Sequence, residues 1–171
     1  YFTVDDILQE AADRGETPLI VICDELTDPH NLGAIIRSAE CAGAHGVIIP
    51  KRRSVGLTAT VAKASAGAVE YMKVARVTNI NNAISELKEK GVWIFGTAAE
   101  GSIPMYKADL TGPTAIVIGN EGEGMSRLVQ KSCDVTVHIP MKGRITSLNA
   151  SAAASILLYE AVRQRIGGTN G

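Results

Sequence analysis

The feature that most constrains the fold is a series of short apolar runs, rich in β-branched residues, that alternates with segments of helical periodicity. Each run has four or five residues, too few for a typical helix, and is bounded by Gly, Pro or Asp. Continuous apolar runs of this length are typical of strands that are buried on both faces of a parallel sheet. We therefore predict strands at residues 19–23, 46–49, 92–95, 114–118 and 135–139.

The segments between these strands predict helices that cover the sheet. One helix is expected through residues 32–39, with Asn31 as its cap. Others are expected at about 79–90, ended by Gly91, at 125–131, and in a long stretch of small residues after Asn149. We also expect a short lead-in helix within residues 1–17 and a disordered tail at 167–171. Together the elements predict a single three-layer α/β domain with a mainly parallel sheet.

Composition limits the class of protein. The 171 residues are 46% hydrophobic and 20% charged, which suits one domain with a sizeable core. The formal net charge is −1, so any nucleic-acid site has to come from local basic clusters rather than from overall charge. Cys23, Cys41 and Cys133 are far apart and form neither a zinc motif nor a disulfide framework, which fits a reduced, cytoplasmic protein. We expect no bound metal and no membrane segment.

Three polar loops follow predicted strands, and each carries candidate site residues. They cover residues 24–33, 118–125 and 139–149. In open α/β sheets, ligands bind at the carboxyl ends of the strands, so these loops are the expected place for a ligand site. The second loop has three glycines in six residues but lacks both the GxGxxG order and the phosphate-loop GK[ST]. Neither a dinucleotide nor a nucleoside triphosphate is therefore indicated.

Taken one at a time, the polar residues of these loops also fit ordinary structural roles. Arg37 points away from the apolar side of its helix, as a solvated charge or a partner of Glu40 would. Glu121 fits a residue that caps the following helix, and Ser147 or Asn149 fits the cap of the last helix. Spacing alone supports no more than a ligand-binding α/β domain.

The three loops, taken together and in this order, resemble the signature motifs of the SpoU (TrmH-like) class of SPOUT methyltransferases. The matching segments are residues 31–39 (NLGAIIRSA), 118–125 (IGNEGEGM), 139–141 (IPM) and 147–151 (SLNAS). Residues 27–31 (TDPHN) and 159–163 (YEAVR) are especially similar to the bacterial RlmB type. Enzymes of that type act on a guanosine of large-subunit ribosomal RNA. The resemblance covers nearly the whole chain.

The resemblance carries further implications for fold and assembly. It implies a carboxyl-terminal deep trefoil knot, the SPOUT fold, which hydrophobic spacing would not suggest because knotted chains are rare. It also implies S-adenosylmethionine as the cofactor, structured RNA as the substrate, and a homodimer with the site near the interface. Only a short segment precedes Pro18, so we expect the amino-terminal RNA-binding domain of related enzymes to be absent.

The resemblance assigns roles residue by residue. The implied cofactor-binding residues are Gly96, Thr97, Gly119, Ile139, Met141 and Leu148, and the implied catalytic residues are Arg37, Asn31, Glu121, Ser147 and Asn149. Arg37 would activate the ribose hydroxyl, either as a base or by clamping the neighbouring phosphate. The clamp is favoured, because a guanidinium does not readily give up its proton.

Basic residues near the loops are the expected RNA contacts. They are Lys51, Arg52 and Arg53 after the second strand, with Lys63, Lys142 and Arg144, although a charge run is often only a solvated face. The expected function is transfer of a methyl group from S-adenosylmethionine to a ribose 2′-hydroxyl of ribosomal RNA. The alternatives are a tRNA or antibiotic-resistance methyltransferase of the same class, a non-catalytic RNA-binding relative, and an unrelated α/β enzyme that uses a nucleotide.

Overall fold

The computed structural model describes residues 1–99 and 102–167, and within these residues the chain forms one seven-stranded sheet. The strands run in the order β3-β2-β1-β6-β4-β7-β5, and every neighbouring pair is parallel. Their bounds are β1 Leu19–Cys23, β2 Gly46–Pro50, β3 Val74–Val77, β4 Trp93–Thr97, β5 Ile103–Pro104, β6 Thr114–Ile118 and β7 Val135–His138. The predicted parallel sheet is confirmed.

Six α-helices are found in the same residues, with two short 3₁₀ turns at Ala68–Glu70 and Met105–Lys107. The helices are α1 Val4–Asp13, α2 Pro29–Cys41, α3 Ala59–Ala64, α4 Ile80–Glu89, α5 Arg127–Ser132 and α6 Ala150–Gly167. None of the helices in this part of the chain is long and apolar enough to cross a membrane.

Helices cover both faces of the sheet, so the predicted three-layer architecture is confirmed. Successive residues of a strand point to opposite faces, and β1 illustrates the result. Val21 belongs to the core that includes α2 and α6, whereas Ile22 belongs to the core that includes α1, α4 and α5. All five residues of β1 are buried, because helices cover the strand on both sides.

The register of the strands brings the ends of distant segments together. Cys23 at the end of β1 pairs with Ile118 at the end of β6, and Thr97 at the end of β4 pairs with Val137 near the end of β7. Because the strands are parallel, the loops that follow β1, β4, β6 and β7 all leave the sheet at one edge.

The predicted elements differ from the structure in a few places. β3, β5 and α3 were not predicted, because they are short and the strands lie at the two edges of the sheet. The helix predicted at 125–131 begins two residues later, at Arg127, with Ser126 as its cap. Gly167, the first residue of the expected disordered tail, is the last residue of α6. The rest of that tail, residues 168–171, lies outside the described part of the chain.

The prediction that Asn31 caps its helix is wrong. α2 begins at Pro29, and its cap is Asp28, whose side chain accepts a hydrogen bond from the His30 N–H at 2.8 Å. Proline suits the first position of a helix because its φ is already helical and it has no N–H to satisfy. Asn31 therefore lies inside the first turn, where it is buried.

Candidate functional site

A cavity of about 260 Å³ lies at the carboxyl edge of the sheet, above the ends of β4, β6 and β7. Four chain segments line it: the end of β4 with the residues after it, the glycine-rich loop after β6, the loop after β7, and the start of α6. The second and third polar loops of the sequence thus share one cavity. The first loop joins them through hydrogen bonds.

The glycine-rich loop after β6 is folded tightly on itself. Asn120 and Gly124 form an antiparallel bridge with two backbone hydrogen bonds of 2.9 Å. Gly119 lies so close to the returning chain that an added Cβ would be 2.2 Å from the backbone of Gly124 and Met125. No other residue type fits at position 119 without moving the loop.

Glu121 connects the glycine-rich loop with the loop after β1. Its carboxylate accepts hydrogen bonds from the backbone N–H of Asp28 at 2.8 Å and of Thr27 at 3.2 Å. The Asn31 side-chain amide also donates to it, at 3.4 Å. Glu121 does not cap the helix that follows it, because its partners lie at the start of α2, where the positive end of the helix dipole favours a carboxylate.

The pKa of Glu121 reflects this environment. Partial burial alone would raise the pKa, but the N–H groups of Asp28 and Thr27 and the Asn31 amide outweigh that effect and lower it. Hydrogen bonds to the charged form of a carboxyl favour that form. Glu121 is therefore ionised at neutral pH and presents a fixed negative charge beside the cavity.

Asn149 extends the same network to the loop after β7. Its side-chain N–H₂ group donates to the Asn31 side-chain oxygen at 2.9 Å. Its own side-chain oxygen accepts from the backbone N–H groups of Ser151 and Ala152 at 2.9 and 3.1 Å, which caps the start of α6. Asn149 is thus both a helix cap and a link between motifs. Glu121, Asn31 and Asn149 join all three polar loops.

Arg37 stands apart from this network. It is exposed on α2 and is not among the residues that line the cavity. Within residues 1–99 and 102–167 it makes no hydrogen bond or ion pair, so the alternative pairing with Glu40 is not found. The next residue, Ser38, lies 2.7 Å from the Ser155 hydroxyl and joins α2 to α6. The guanidinium is therefore free to bind a ligand.

The residues that the resemblance assigns to the cofactor fall into two groups. Thr97, Gly119, Ile139, Met141 and Leu148 line the cavity, and Ser147 of the catalytic set lines it as well. Gly96 does not. It is buried in β4, and a Cβ there would be 2.7 Å from the Cys133 sulfur and 2.8 Å from the end of Met125. The space beside Gly96 is occupied by these two side chains.

Three polar residues at this edge of the sheet were not singled out from the sequence. The side-chain amide of Asn120 donates to the Glu25 carbonyl at 2.8 Å, and the buried Asp24 carboxylate accepts from the Ser126 N–H at 2.7 Å. His138 lines the cavity, with its Nδ1 3.1 Å from the Ser102 hydroxyl. Asp24 directly follows a predicted strand and Asn120 comes two residues after the end of another, and this position is the one sequence signal for them.

The basic residues proposed for RNA contacts are all exposed. Arg53, which has a left-handed backbone with φ of 55°, lies 3.9 Å from the Glu25 carboxylate. Lys51 and Arg52 precede it, and Lys142 and Arg144 lie in the loop after β7. Lys63, in α3, is also exposed. In the described part of the chain, no group of three or more His, Cys, Asp or Glu residues is arranged to hold a metal ion.

The protein is thus a parallel α/β domain, covered by helices on both faces, with a cavity at the carboxyl edge of the sheet whose two polar loops are hydrogen-bonded to a third. Comparison with known sequences gives the family. Residues 18–159 match the SpoU rRNA Methylase family, and the chain belongs to it.

Individual relatives agree with this assignment. A Bacillus subtilis (strain 168) protein assigned to the TrmH family of tRNA/rRNA methyltransferases, YacO, is 52% identical over 165 residues, which are 96% of this chain and 66% of that protein. The 23S rRNA (guanosine-2′-O-)-methyltransferase RlmB of Photobacterium profundum is 52% identical over 158 residues, 92% of this chain and 64% of that enzyme. The chain thus spans about two thirds of the length of these relatives.

A solved structure shares the fold. The SpoU methyltransferase AviRb from Streptomyces viridochromogenes, in complex with AdoMet, superposes with a TM-score of 0.84 and 37% sequence identity. The match covers 89% of this chain and 62% of that one.

Proposed function

We propose that this chain is an S-adenosylmethionine-dependent RNA methyltransferase that modifies a ribose 2′-hydroxyl, with a guanosine of large-subunit ribosomal RNA as its target. The observation that carries the proposal is the convergence of three separate motifs at one cavity, linked by Glu121, Asn31 and Asn149. The names of the RlmB relative and of the AviRb complex with AdoMet support the reaction and the cofactor.

The cavity fits the proposed cofactor. Met141 and Leu148 leave apolar surface open to the cavity, with exposures of 38% and 42%, and a purine ring would cover it. Gly119 lines the cavity and lets the returning loop lie directly against it, since a side chain there would collide with the backbone of that loop. We assign Thr97, Gly119, Ile139, Met141 and Leu148 to cofactor binding. The family resemblance also assigns Gly96, which would act through the backbone or through packing of β4.

The proposed mechanism gives the protein the tasks of positioning and charge stabilisation. The cofactor supplies a methyl group on an already activated sulfonium, so no strong activation of the electrophile is required from the protein. The 2′-oxygen would take the methyl group as its proton passes to solvent and S-adenosylhomocysteine leaves, and Arg37 clamps a phosphate beside the target ribose and stabilises the negative charge that develops on this oxygen. Asn31 and Glu121 fix the start of α2, the helix that carries Arg37. Ser147 and Asn149 hold the ribose or the cofactor.

We further propose that the enzyme is a homodimer. The support from this chain is that Arg37 does not line its own cavity and carries no partner in the described residues. A second copy is one means of bringing a guanidinium to the site.

We also propose that the carboxyl-terminal part of the chain forms a knot. The support is that β7 lies between β4 and β5 in the sheet, and that α6, which follows β7, packs on α2. The three free thiols agree with action in the cytoplasm.

The test is methyl transfer to defined RNA. The protein is incubated with radiolabelled S-adenosylmethionine and in vitro transcripts of large-subunit ribosomal RNA or tRNA, and the methylated position is mapped. The proposal expects incorporation into the ribosomal transcript at a single ribose 2′-oxygen. Incorporation into tRNA alone would change the substrate, whereas RNA binding without incorporation would identify a non-catalytic relative.

A further inference from the structure

Tyr1 and Phe2 lie at the β3 edge of the sheet, beside the loop that follows β2. The Phe2 N–H donates to the Val74 carbonyl at 2.9 Å, and Phe2 pairs with Ala75 in parallel register. The Arg76 guanidinium lies 4.4 Å from the centre of the Tyr1 ring. A cation over an aromatic face is attracted by the ring, so the Tyr1 ring is held in a defined place.

The Tyr1 hydroxyl holds the end of the basic loop, which we define as residues 51–57. The Leu57 N–H donates to the Tyr1 hydroxyl oxygen at 2.9 Å. Gly56 makes this approach possible, because a Cβ at that position would lie 2.9 Å from the hydroxyl oxygen. The backbone of the basic loop is thus fixed by a side chain more than fifty residues away in sequence.

The other side of the basic loop is joined to the site. The Val55 N–H donates to the Leu26 carbonyl at 2.9 Å, and Arg53 lies 3.9 Å from the Glu25 carboxylate. The Glu25 carbonyl in turn accepts from Asn120 at 2.8 Å. A continuous series of contacts therefore leads from Tyr1 through the basic loop to the glycine-rich loop that carries Glu121.

We propose that Tyr1 is a positioning residue for RNA, which acts by holding the basic loop so that Lys51, Arg52 and Arg53 stand in a fixed place beside the loop after β1. This inference rests on the proposed RNA methyltransferase function. A tethered cation binds a phosphate with less loss of conformational freedom than a mobile one. The hydroxyl of Tyr1 therefore strengthens RNA binding without contacting either RNA or cofactor.

The first test replaces Tyr1 with Phe, which removes the hydrogen-bond acceptor and keeps the ring over Arg76. We expect the KM for a large-subunit ribosomal RNA transcript to rise about three- to tenfold, the range of one hydrogen bond. The kcat and the Kd for S-adenosylhomocysteine should not change. Gly56→Ala should give the same result, because its methyl group displaces the hydroxyl from Leu57.

Two comparisons separate positioning from a general loss of stability. Tyr71→Phe is the control, since Tyr71 is 75% exposed and its hydroxyl makes no hydrogen bond in the described part of the chain. In a variant with Lys51, Arg52 and Arg53 all changed to Ala, Tyr1→Phe should have no further effect on KM, because residues that act through one group are not additive.

Several outcomes would overturn the inference. They are an unchanged KM in Tyr1→Phe, a change in kcat or cofactor affinity of the same size, and a full additional effect in the triple-alanine background. Each of these presupposes a wild-type chain that methylates the transcript. Absence of methylation by the wild-type chain would instead count against the proposed function itself.

Discussion

Glu121 is the residue on which the arrangement of the site depends most. Its carboxylate accepts hydrogen bonds from the backbone N–H groups of Asp28 and Thr27 and from the Asn31 side-chain amide. Asn31 in turn accepts a hydrogen bond from Asn149. Hydrogen bonds to a charged acceptor are about twice as strong as neutral ones. The negative charge at this point therefore stabilises the contact between the loops after β1 and β6.

Glu121→Gln should weaken the dependence of stability on acid. The pKa of Glu121 is lower in the folded chain than its ordinary value of 4.5. Its contribution is therefore complete above pH 4.5 and is lost as the pH falls through the lower folded pKa. We expect a shallower decline in the free energy of unfolding below pH 4.5 in the variant, measured by denaturant titration. Parallel declines in the two proteins would show that the carboxylate adds nothing to folding.

Arg37→Ala should remove catalysis and leave cofactor binding. Because Arg37 lies outside the cavity lining, its loss should not alter the Kd for S-adenosylhomocysteine. The loss of a group that stabilises developing charge should lower kcat by about a hundred- to a thousandfold or more. Arg127→Ala, at another exposed arginine, is the control in both assays. Substantial turnover by the Arg37 variant would remove this residue from the mechanism.

At the scale of elements, the site depends on how α2 and the glycine-rich loop begin. Asp28 and Pro29 start α2, which leaves Asn31 buried in the first turn, where it contacts both Glu121 and Asn149. The glycine-rich loop starts at Gly119, which lies against the backbone of Gly124 and Met125 and lines the cavity. The residues at the start of α2 and at the start of the glycine-rich loop therefore bring together three motifs that are distant in sequence.

Gly119→Ala and Gly122→Ala should differ sharply in cofactor binding. A Cβ at Gly119 would be 2.2 Å from backbone atoms, whereas at Gly122 the nearest atom would be the Asn120 side-chain oxygen at 3.7 Å. Overpacking of this kind costs about 1–3 kcal/mol. We expect Gly119→Ala to lose at least about tenfold in affinity for S-adenosylhomocysteine by calorimetry, and Gly122→Ala to resemble the wild type. Equal affinities in the two variants would contradict this account of the cavity.

Much of the element structure could be predicted from the sequence, because burial on both faces of a parallel strand leaves a continuous apolar run such as residues 19–23 or 114–118. β3 could not be predicted, since it is short, lies at an edge and carries the exposed Arg76. β5 has only two residues.

The residues that line the cavity were inferred from family motifs rather than from periodicity. The contact of Glu121 with Asp28 spans 93 residues and depends on the register of β1 and β6, which no local pattern records.

Across the whole molecule the positive and negative charges nearly cancel, but the basic residues are unevenly placed on the surface. The net charge is −1, yet Lys51, Arg52 and Arg53 form one exposed cluster in the basic loop beside the site. In the described residues Lys51 and Arg52 make no ion pair and Arg53 has only the 3.9 Å contact with Glu25, whereas Arg14, Lys88 and Lys90 each have a carboxylate within 3.6 Å. A chain with little overall charge can therefore present a local cationic surface to RNA.

Changing Lys51, Arg52 and Arg53 together to Ala should flatten the salt dependence of RNA binding. Each phosphate contact contributes about 0.7 to 0.9 to the slope of log K against log salt, so loss of three contacts should lower the slope by about two to three units. Filter binding of a ribosomal transcript over a range of salt concentrations measures it. The matched control changes Arg14, Lys88 and Lys90 to Ala. A slope equal to that of the control would assign the basic loop to solvent.

Calorimetric titration of the chain with S-adenosylhomocysteine shows whether the three motifs form one cofactor cavity. We predict saturable binding at one site per chain, with no comparable binding of NAD or ATP. Absence of S-adenosylhomocysteine binding, or binding of NAD or ATP with equal affinity, would show that the three motifs do not form a cavity for S-adenosylmethionine.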